Sequence, residues 1–346
     1  MPTDNIKVLI ISTGGTISMV KDNDTGALRP ADFSEFRSFL PELEHTNLTV
    51  EMYPVTPSID SSNVNPGLWK NLAQTIYEQY DEYDGFVVLH GTDTMAYSAS
   101  ALSFMLENLQ KPIVFTGSQL PIGVFRSDAR ENLQTAIEIA AAQDEDGNPI
   151  VPEVTIFFED RLFRGNRTTK KNAEHFDAFC SYNYPPLAKA GVHIHYFPHL
   201  VFYSDTKQPL KLHTLIDSNV AILKIFPGIS HRMVKAILNI RGLRAVVLET
   251  YGTGNAPTDK WLFEDIKAAV ERGVIIVNKT QCVAGSVEMG RYETSLNLLQ
   301  AGVLSGHDIT TEALVTKLMF LLGGAEDTEM VKLLLSQSIC GEMTID

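Results

Sequence analysis

Cysteine is scarce in this 346-residue chain, and the three present are too scattered for a disulfide framework or a CxxC metal site (Cys180, Cys282, Cys340). No apolar run approaches the roughly 18 residues that cross a bilayer. The first such run begins already at Ile6, so we expect neither a signal peptide nor a membrane span. Basic residues are in deficit, 28 against 42 acidic, for a net charge of −14. That balance speaks against nucleic acid or an anionic membrane as partner, because neither is attracted to such a surface. A cytoplasmic, reduced protein is expected, which makes the sequons at Asn23, Asn47, Asn166 and Asn278 coincidental. Internal repeats and low-complexity tracts are also lacking.

What is present is a series of short Val-, Ile- and Phe-rich runs: 6–12, 85–90, 112–118, 153–160, 220–226, 244–250 and 273–279. Each is apolar on consecutive positions, as in strands buried on both faces of a parallel sheet. Between them lie helical stripes, such as Leu68, Leu72, Ile76 and Tyr80, and the stretch 97–109. Strand–helix alternation of this kind predicts an α/β fold. Regularity fails over 181–218, a stretch with four prolines and little helical period. The expected division is a first domain over 1–195, a linker over 196–219 and a second domain over 220–346. Histidines 193, 195, 199 and 213 lack the acid or cysteine pattern of a metal site, so none is expected.

In an open parallel sheet, ligands bind where strands end at their carboxyl side. The residues following the runs read TGGT (13–16), HGTDT (90–94), TGSQ (116–119), DRLFRGNRTTK (160–170), PGIS (227–230), TYGTGN (250–255) and TQC (280–282). Neither GxxxxGK[ST] nor GxGxxG followed by a spaced acid occurs here, which excludes the usual phosphate loops. No GxSxG elbow is present, and His90 reads as a packing residue at a strand end. Thr16 is a hydroxyl placed straight after two glycines, and a threonine attacks only with a base or relay beside it. Thr92, Asp93 and Lys170 offer such a group, since a desolvated lysine can lose its proton and serve as base. Backbone N–H groups at the glycine turns can receive a developing oxyanion. The stretch from Thr16 to Pro30 reads as a lid or an ordinary surface loop. GTDT alone reads equally well as a helix N-cap.

Taken together, TGGTISM (13–19), DGFVVLHGTDTMAYSASALSFML (84–106) and FRGNRTTK (163–170) resemble the bacterial asparaginases, in their cytoplasmic type I form. The likeness runs on through YGTGNAP, NKTQC and GVLSGHDITTEALVTKL. The resemblance implies a larger amino-terminal α/β domain, with a mostly parallel sheet flanked by helices, and a smaller carboxyl-terminal α/β domain. It implies hydrolysis of L-asparagine to L-aspartate and ammonia, with Thr16 as nucleophile and Thr92, Asp93 and Lys170 as the polar relay. IDSSN resembles the substrate-carboxylate loop, with Asp60, Ser61 and Ser62 lining it. Homodimers paired into tetramers, with sites at the dimer contact, are also implied; a cofactor or metal is not. This suits an amino-acid substrate, whose carboxylate Ser61 and backbone N–H groups can bind while Asp93 binds its ammonium.

Two departures from the family pattern stand out. Many relatives carry a tyrosine in the mobile loop, whereas DTGALRPADF has none and places Ala27 near that position. Tyr292, in GRYETS, resembles the residue that some cytoplasmic members use instead. Thr280 and Cys282 resemble part of an effector pocket in cooperative relatives. Glu249 stands where those relatives carry a basic residue, which argues against the same effector site here. Three rivals stay open at this point. The first is a glutaminase or an ammonia-releasing amidotransferase subunit, since asparagine and glutamine differ by one methylene, worth only about 1–3 kcal/mol. The others are a non-catalytic amino-acid sensor and a nucleotide-binding protein.

Overall fold

The structure is a computed structural model that describes residues 5–21, 28–31, 33–205, 207–290, 293–325 and 327–345. The chain divides into two compact units, Met1–Thr214 and Leu215–Asp346. Parts of the stretch expected as a linker are ordered within the first unit: Lys211–Leu212 pairs antiparallel with Leu106–Glu107.

In the first unit an eight-stranded sheet carries five parallel strands in the spatial order 48–54, 6–12, 85–89, 113–116, 154–158. In chain order this is 2-1-3-4-5. The second strand lies on one side of the first, and all later strands lie on the other. Three antiparallel strands, 161–164, 188–189 and 195–196, extend the far edge. They are short or part of a tight hairpin, and so leave no apolar period for a sequence reading to find.

Continuous burial explains why these strands read as unbroken apolar runs. One face of Ile6–Ser12 and Gly85–Leu89 packs Val8, Ile10, Val87 and Leu89 against Leu133, Ala136 and Ile137 of helix Ala129–Ala141. Leu9, Ile11, Phe86, Val88 and Phe115 alternate with that set and are equally buried. Helix Pro66–Gln79 starts with Asn65 as N-cap, accepting from the Gly67 and Leu68 amides, and Pro66 at its first position. Its indole at Trp69 donates to Ser98 of helix Met95–Met105 at 3.0 Å, joining the two helices.

The second unit is a four-stranded parallel sheet whose strands 220–224, 245–250, 275–280 and 304–305 lie side by side in chain order. Val246, Leu248 and Ile276 pack with Val234, Leu238, Leu262 and Ile266 of the helices His231–Leu238 and Lys260–Glu271. Helix Thr311–Gly324 packs against strands 220–224 and 245–250. The tail that follows is pinned by a fully buried ion pair, Lys317 Nζ to Glu342 Oε1 at 2.7 Å. Among the described residues no helix is long and apolar enough to cross a membrane.

Candidate active site

A 2-1-3-4-5 order reverses direction between the first and third strands, and a crevice opens outside the carboxyl ends of strands at such a switch point. Here those strands are Ile6–Ser12 and Gly85–Leu89, which end at the TGGT and HGTDT turns. Position in the sheet thus selects these turns from among all the polar strand ends in the sequence.

The first turn is bolted to its neighbours. The Thr13 amide and hydroxyl both donate to the Leu89 carbonyl, at 3.0 and 2.9 Å, and the Ile59 amide donates to the Thr13 carbonyl at 2.8 Å. The Ser12 and Ser18 hydroxyls meet at 3.0 Å, and Ser18 Oγ donates to the Gly14 carbonyl at 3.3 Å. Gly15 sits at φ +80°, open to glycine at no steric cost, and a methyl group there would stand 2.5 Å from the Gly91 nitrogen. A methyl on Gly91 would in turn stand 2.5 Å from Ser61 Oγ. The turns carrying Thr16, Thr92 and Ser61 are therefore in contact through glycine backbone. Thr16, the residue after Gly15, opens a 3-10 turn and is half-buried; its hydroxyl has no hydrogen-bond partner among the described residues.

Thr92 is buried at 9% exposure, and Lys170 Nζ donates to its Oγ1 at 2.7 Å. The same ammonium donates to Asp93 Oδ1, also at 2.7 Å, while the Asp93 side chain stands 66% exposed. Lys170 reaches this point because Thr169–Lys170 forms a two-residue ladder with Phe179–Cys180 just after the buried turn Gly165–Arg167. Of the loop 60–62, only Ser61 is buried. The Thr94 hydroxyl donates to the Ser61 carbonyl at 2.7 Å, and sequence reasoning did not single out Thr94. Asp60 instead caps the 3-10 turn 61–63, accepting from the Ser62 amide at 2.8 Å and hydroxyl at 2.6 Å. The Ser62 hydroxyl and amide hold the Asp60 carboxyl below its ordinary range.

His90, read as packing, is fully buried and fully bonded. Its Nδ1 donates to the Gly91 carbonyl at 2.7 Å, and its Nε2 accepts from Ser98 at 2.9 Å. Burial depresses its pKa to about 4. It sits against Phe115, ring centroids 5.9 Å apart.

Thr280 and Cys282 belong to the second unit, at the end of strand Ile275–Thr280, where Thr280 Oγ1 accepts from the Cys282 amide at 3.0 Å. On the neighbouring strand Glu249 accepts from the Thr311 hydroxyl at 2.9 Å and lies 3.6 Å from Lys224 Nζ. Tyr292 and Ala27 fall outside the described residues; Met19–Lys21 and Leu28–Pro30 pair antiparallel. Among the described residues no group of His, Cys, Asp and Glu side chains converges as a metal site.

A cluster of hydroxyls, one lysine and one carboxylate at a switch point suits a hydroxyl-based hydrolase. The chain matches the family model for the asparaginase N-terminal domain over residues 7–202 and that for the glutaminase/asparaginase C-terminal domain over 219–335. It belongs to the asparaginase family. It is 43% identical over 347 residues to the L-asparaginase 1 of Escherichia coli (strain K12), with 98% of each chain covered. Its fold is similar to that of L-asparaginase I from Vibrio cholerae, with a TM-score of 0.89, 41% identity, and 99% and 100% of the two chains covered. It is also 45% identical to a Mus musculus protein named 60 kDa lysophospholipase, over 84% of this chain and 50% of that one.

Proposed function

We propose that this protein hydrolyses L-asparagine to L-aspartate and ammonia. Thr16 Oγ1 attacks the side-chain amide carbonyl. Its proton passes to a neighbouring base, the carbonyl oxygen becomes an oxyanion beside the backbone N–H groups of the glycine turns, and the C–N bond breaks as the leaving nitrogen takes up that proton and departs as ammonia. Water then releases aspartate from the acyl-threonine. Thr92, Asp93 and Lys170 form the relay, Ser61 with Asp60 and Ser62 lines the carboxylate subsite, and Asp93 faces the substrate ammonium. One observation carries this reading: Lys170 holds both Thr92 and Asp93 at 2.7 Å on the turn that touches the Thr16 turn through Gly15 and Gly91. A sensor needs no such lysine-to-threonine bond.

The family resemblance supports the remaining parts of the proposal: a cytoplasmic homo-oligomer, dimers paired into a tetramer, with Tyr292 assisting Thr16 and a side activity on L-glutamine. Domain limits of 1–195 and 220–346 about a linker belong to the same proposal. Glu249, one register position from Thr280, stands where the resemblance places a basic residue in cooperative relatives, so the velocity curve is expected to be hyperbolic.

Steady-state ammonia release over a wide range of asparagine and glutamine concentrations tests the proposal. Hyperbolic turnover favouring asparagine, absent from a Thr16→Ala variant, is the expected result. Release from neither amide would overturn it. Unchanged turnover in Tyr292→Phe would remove that tyrosine from the assignment, and a sigmoidal curve would restore the effector pocket.

A further inference from the structure

Asp128 stands at the N-cap of helix Ala129–Ala141, yet its carboxylate makes no capping bond to its own helix. The Ser127 hydroxyl takes the Ala129 amide instead, at 3.1 Å. Both Asp128 oxygens turn to the end of strand Ile113–Thr116, where they accept from the Gln119 amide at 3.1 and 3.0 Å and from the Leu120 amide at 3.2 Å. One turn further along, Asn132 is 1% exposed. Its amide nitrogen donates to the Gly117 carbonyl at 2.9 Å and to Asp128 Oδ2 at 3.4 Å, and its oxygen accepts from the Glu159 amide at 2.9 Å. Apart from the 3.4 Å bond between them, the side-chain hydrogen bonds of this pair tie helix 129–141 to the ends of strands 113–116 and 154–158, the next two strands beyond Gly85–Leu89 in the sheet.

The turn they clamp is pressed on the relay. A methyl group on Gly117 would stand 2.5 Å from the His90 carbonyl oxygen and 3.4 Å from Thr92 Cγ2. Turn 117–120 is therefore the wall behind Thr92, on the side away from the Gly15–Gly91 contact. Hydroxyls used in catalysis must be held to within a fraction of an ångström, and a misplacement of about 1 Å can cost about 100-fold in rate.

We infer that Asp128 and Asn132 are positioning residues for the reaction: they hold the 117–120 turn as the wall that sets Thr92 Oγ1 toward Lys170. This inference rests on the reading given under Proposed function. Neither residue touches the reacting atoms, so both act through the turn.

The test is kcat and KM for ammonia release from asparagine by the full chain and by Asp128→Ala, Asp128→Asn and Asn132→Ala, with folding checked by circular dichroism. In the two alanine variants kcat is expected to fall about tenfold or more while KM stays within about threefold. Asp128→Asn keeps one acceptor oxygen and should recover part of the loss. Leu238→Ala, a core change in the second unit, serves as the control for a merely structural effect, since it should lower the melting temperature without lowering kcat. Folded variants with wild-type kcat would overturn the inference, as would a kcat loss that Leu238→Ala reproduces at equal melting temperature. A wild-type chain that released no ammonia would overturn the functional reading and this inference with it. Wild-type turnover with unchanged variants overturns the inference alone.

Discussion

Both units hold parallel strands with polar residues crowded at their carboxyl ends, and only in the first does the strand order change direction. In the first unit the order 2-1-3-4-5 splits the connections to either side of strand Ile6–Ser12. In the second, strands 220–224, 245–250, 275–280 and 304–305 follow in sequence, so the order has no switch point among the described residues. The charges respond differently as well. At the first sheet's switch point a single lysine is directed at a hydroxyl and a carboxylate. Across the second sheet Lys224, Glu249 and Lys279 occupy one register row, with Lys279 Nζ also donating to the Thr280 carbonyl at 2.8 Å. Burial lowers the Lys279 pKa and the nearby Glu249 opposes the shift. Polar strand ends are thus not a site in themselves. A site needs a reversal that leaves room and a charge not cancelled along its own row.

The strongest way to break this comparison is by activity. Lys170→Met and Thr16→Ala at the switch point should each lower kcat by about 1000-fold or more, whereas Glu249→Gln in the second sheet should leave it within about twofold. Ammonia release at saturating asparagine decides it, and a large loss in Glu249→Gln would erase the distinction. Next in size is stability. Lys317→Met strands the buried Glu342 carboxylate and should cost about 3–5 kcal/mol in urea unfolding, with kcat unchanged well below the transition.

Acidification should separate the units again. His90 has a folded pKa of about 4 against an ordinary value near 6.5, so between those values the unfolded chain binds a proton that the folded one refuses. Its contribution is full above the ordinary value and shrinks as pH falls, by on the order of 3 kcal/mol. Glu342 is held below its ordinary range by Lys317 and by its hydrogen bonds, against the effect of burial. Its contribution stays constant until about pH 4–5 and is lost only below that. Unfolding free energies of wild type relative to His90→Asn and to Glu342→Gln, measured from pH 7 to 4, should therefore begin to fall in that order. The smallest expected effect is the cap: Asp60→Ala should cost about 1 kcal/mol by the same unfolding measurement.

Much of this was legible in the sequence because burial on both faces leaves a plain mark. The run 6–12 coincides with a strand, and 85–90 and 244–250 each differ from one by a single residue. The run 112–118 overshoots, since Gly117 and Ser118 continue into the turn that abuts Thr92. Strand order was not legible, because pairing is a tertiary choice that periodicity does not record. Thr92, Asp93 and Lys170, whose side chains the structure brings together, were singled out because polar residues after an apolar run are conspicuous. Thr94, Asp128 and Asn132 were not, since hydroxyl, carboxylate and amide side chains at helix starts look like ordinary caps. Only the direction of their hydrogen bonds distinguishes them.

The Ser12–Ser18 hydroxyl contact has one more consequence. It closes a ring across the seven residues 12–18, with Thr16 inside it and no covalent link. Fixing one residue's backbone costs about 1–2 kcal/mol of conformational entropy at room temperature. That cost is met here on folding, before any ligand arrives. A molecule entering the crevice then meets a turn whose freedom has already been surrendered, and its binding energy can go to orientation rather than to ordering the loop.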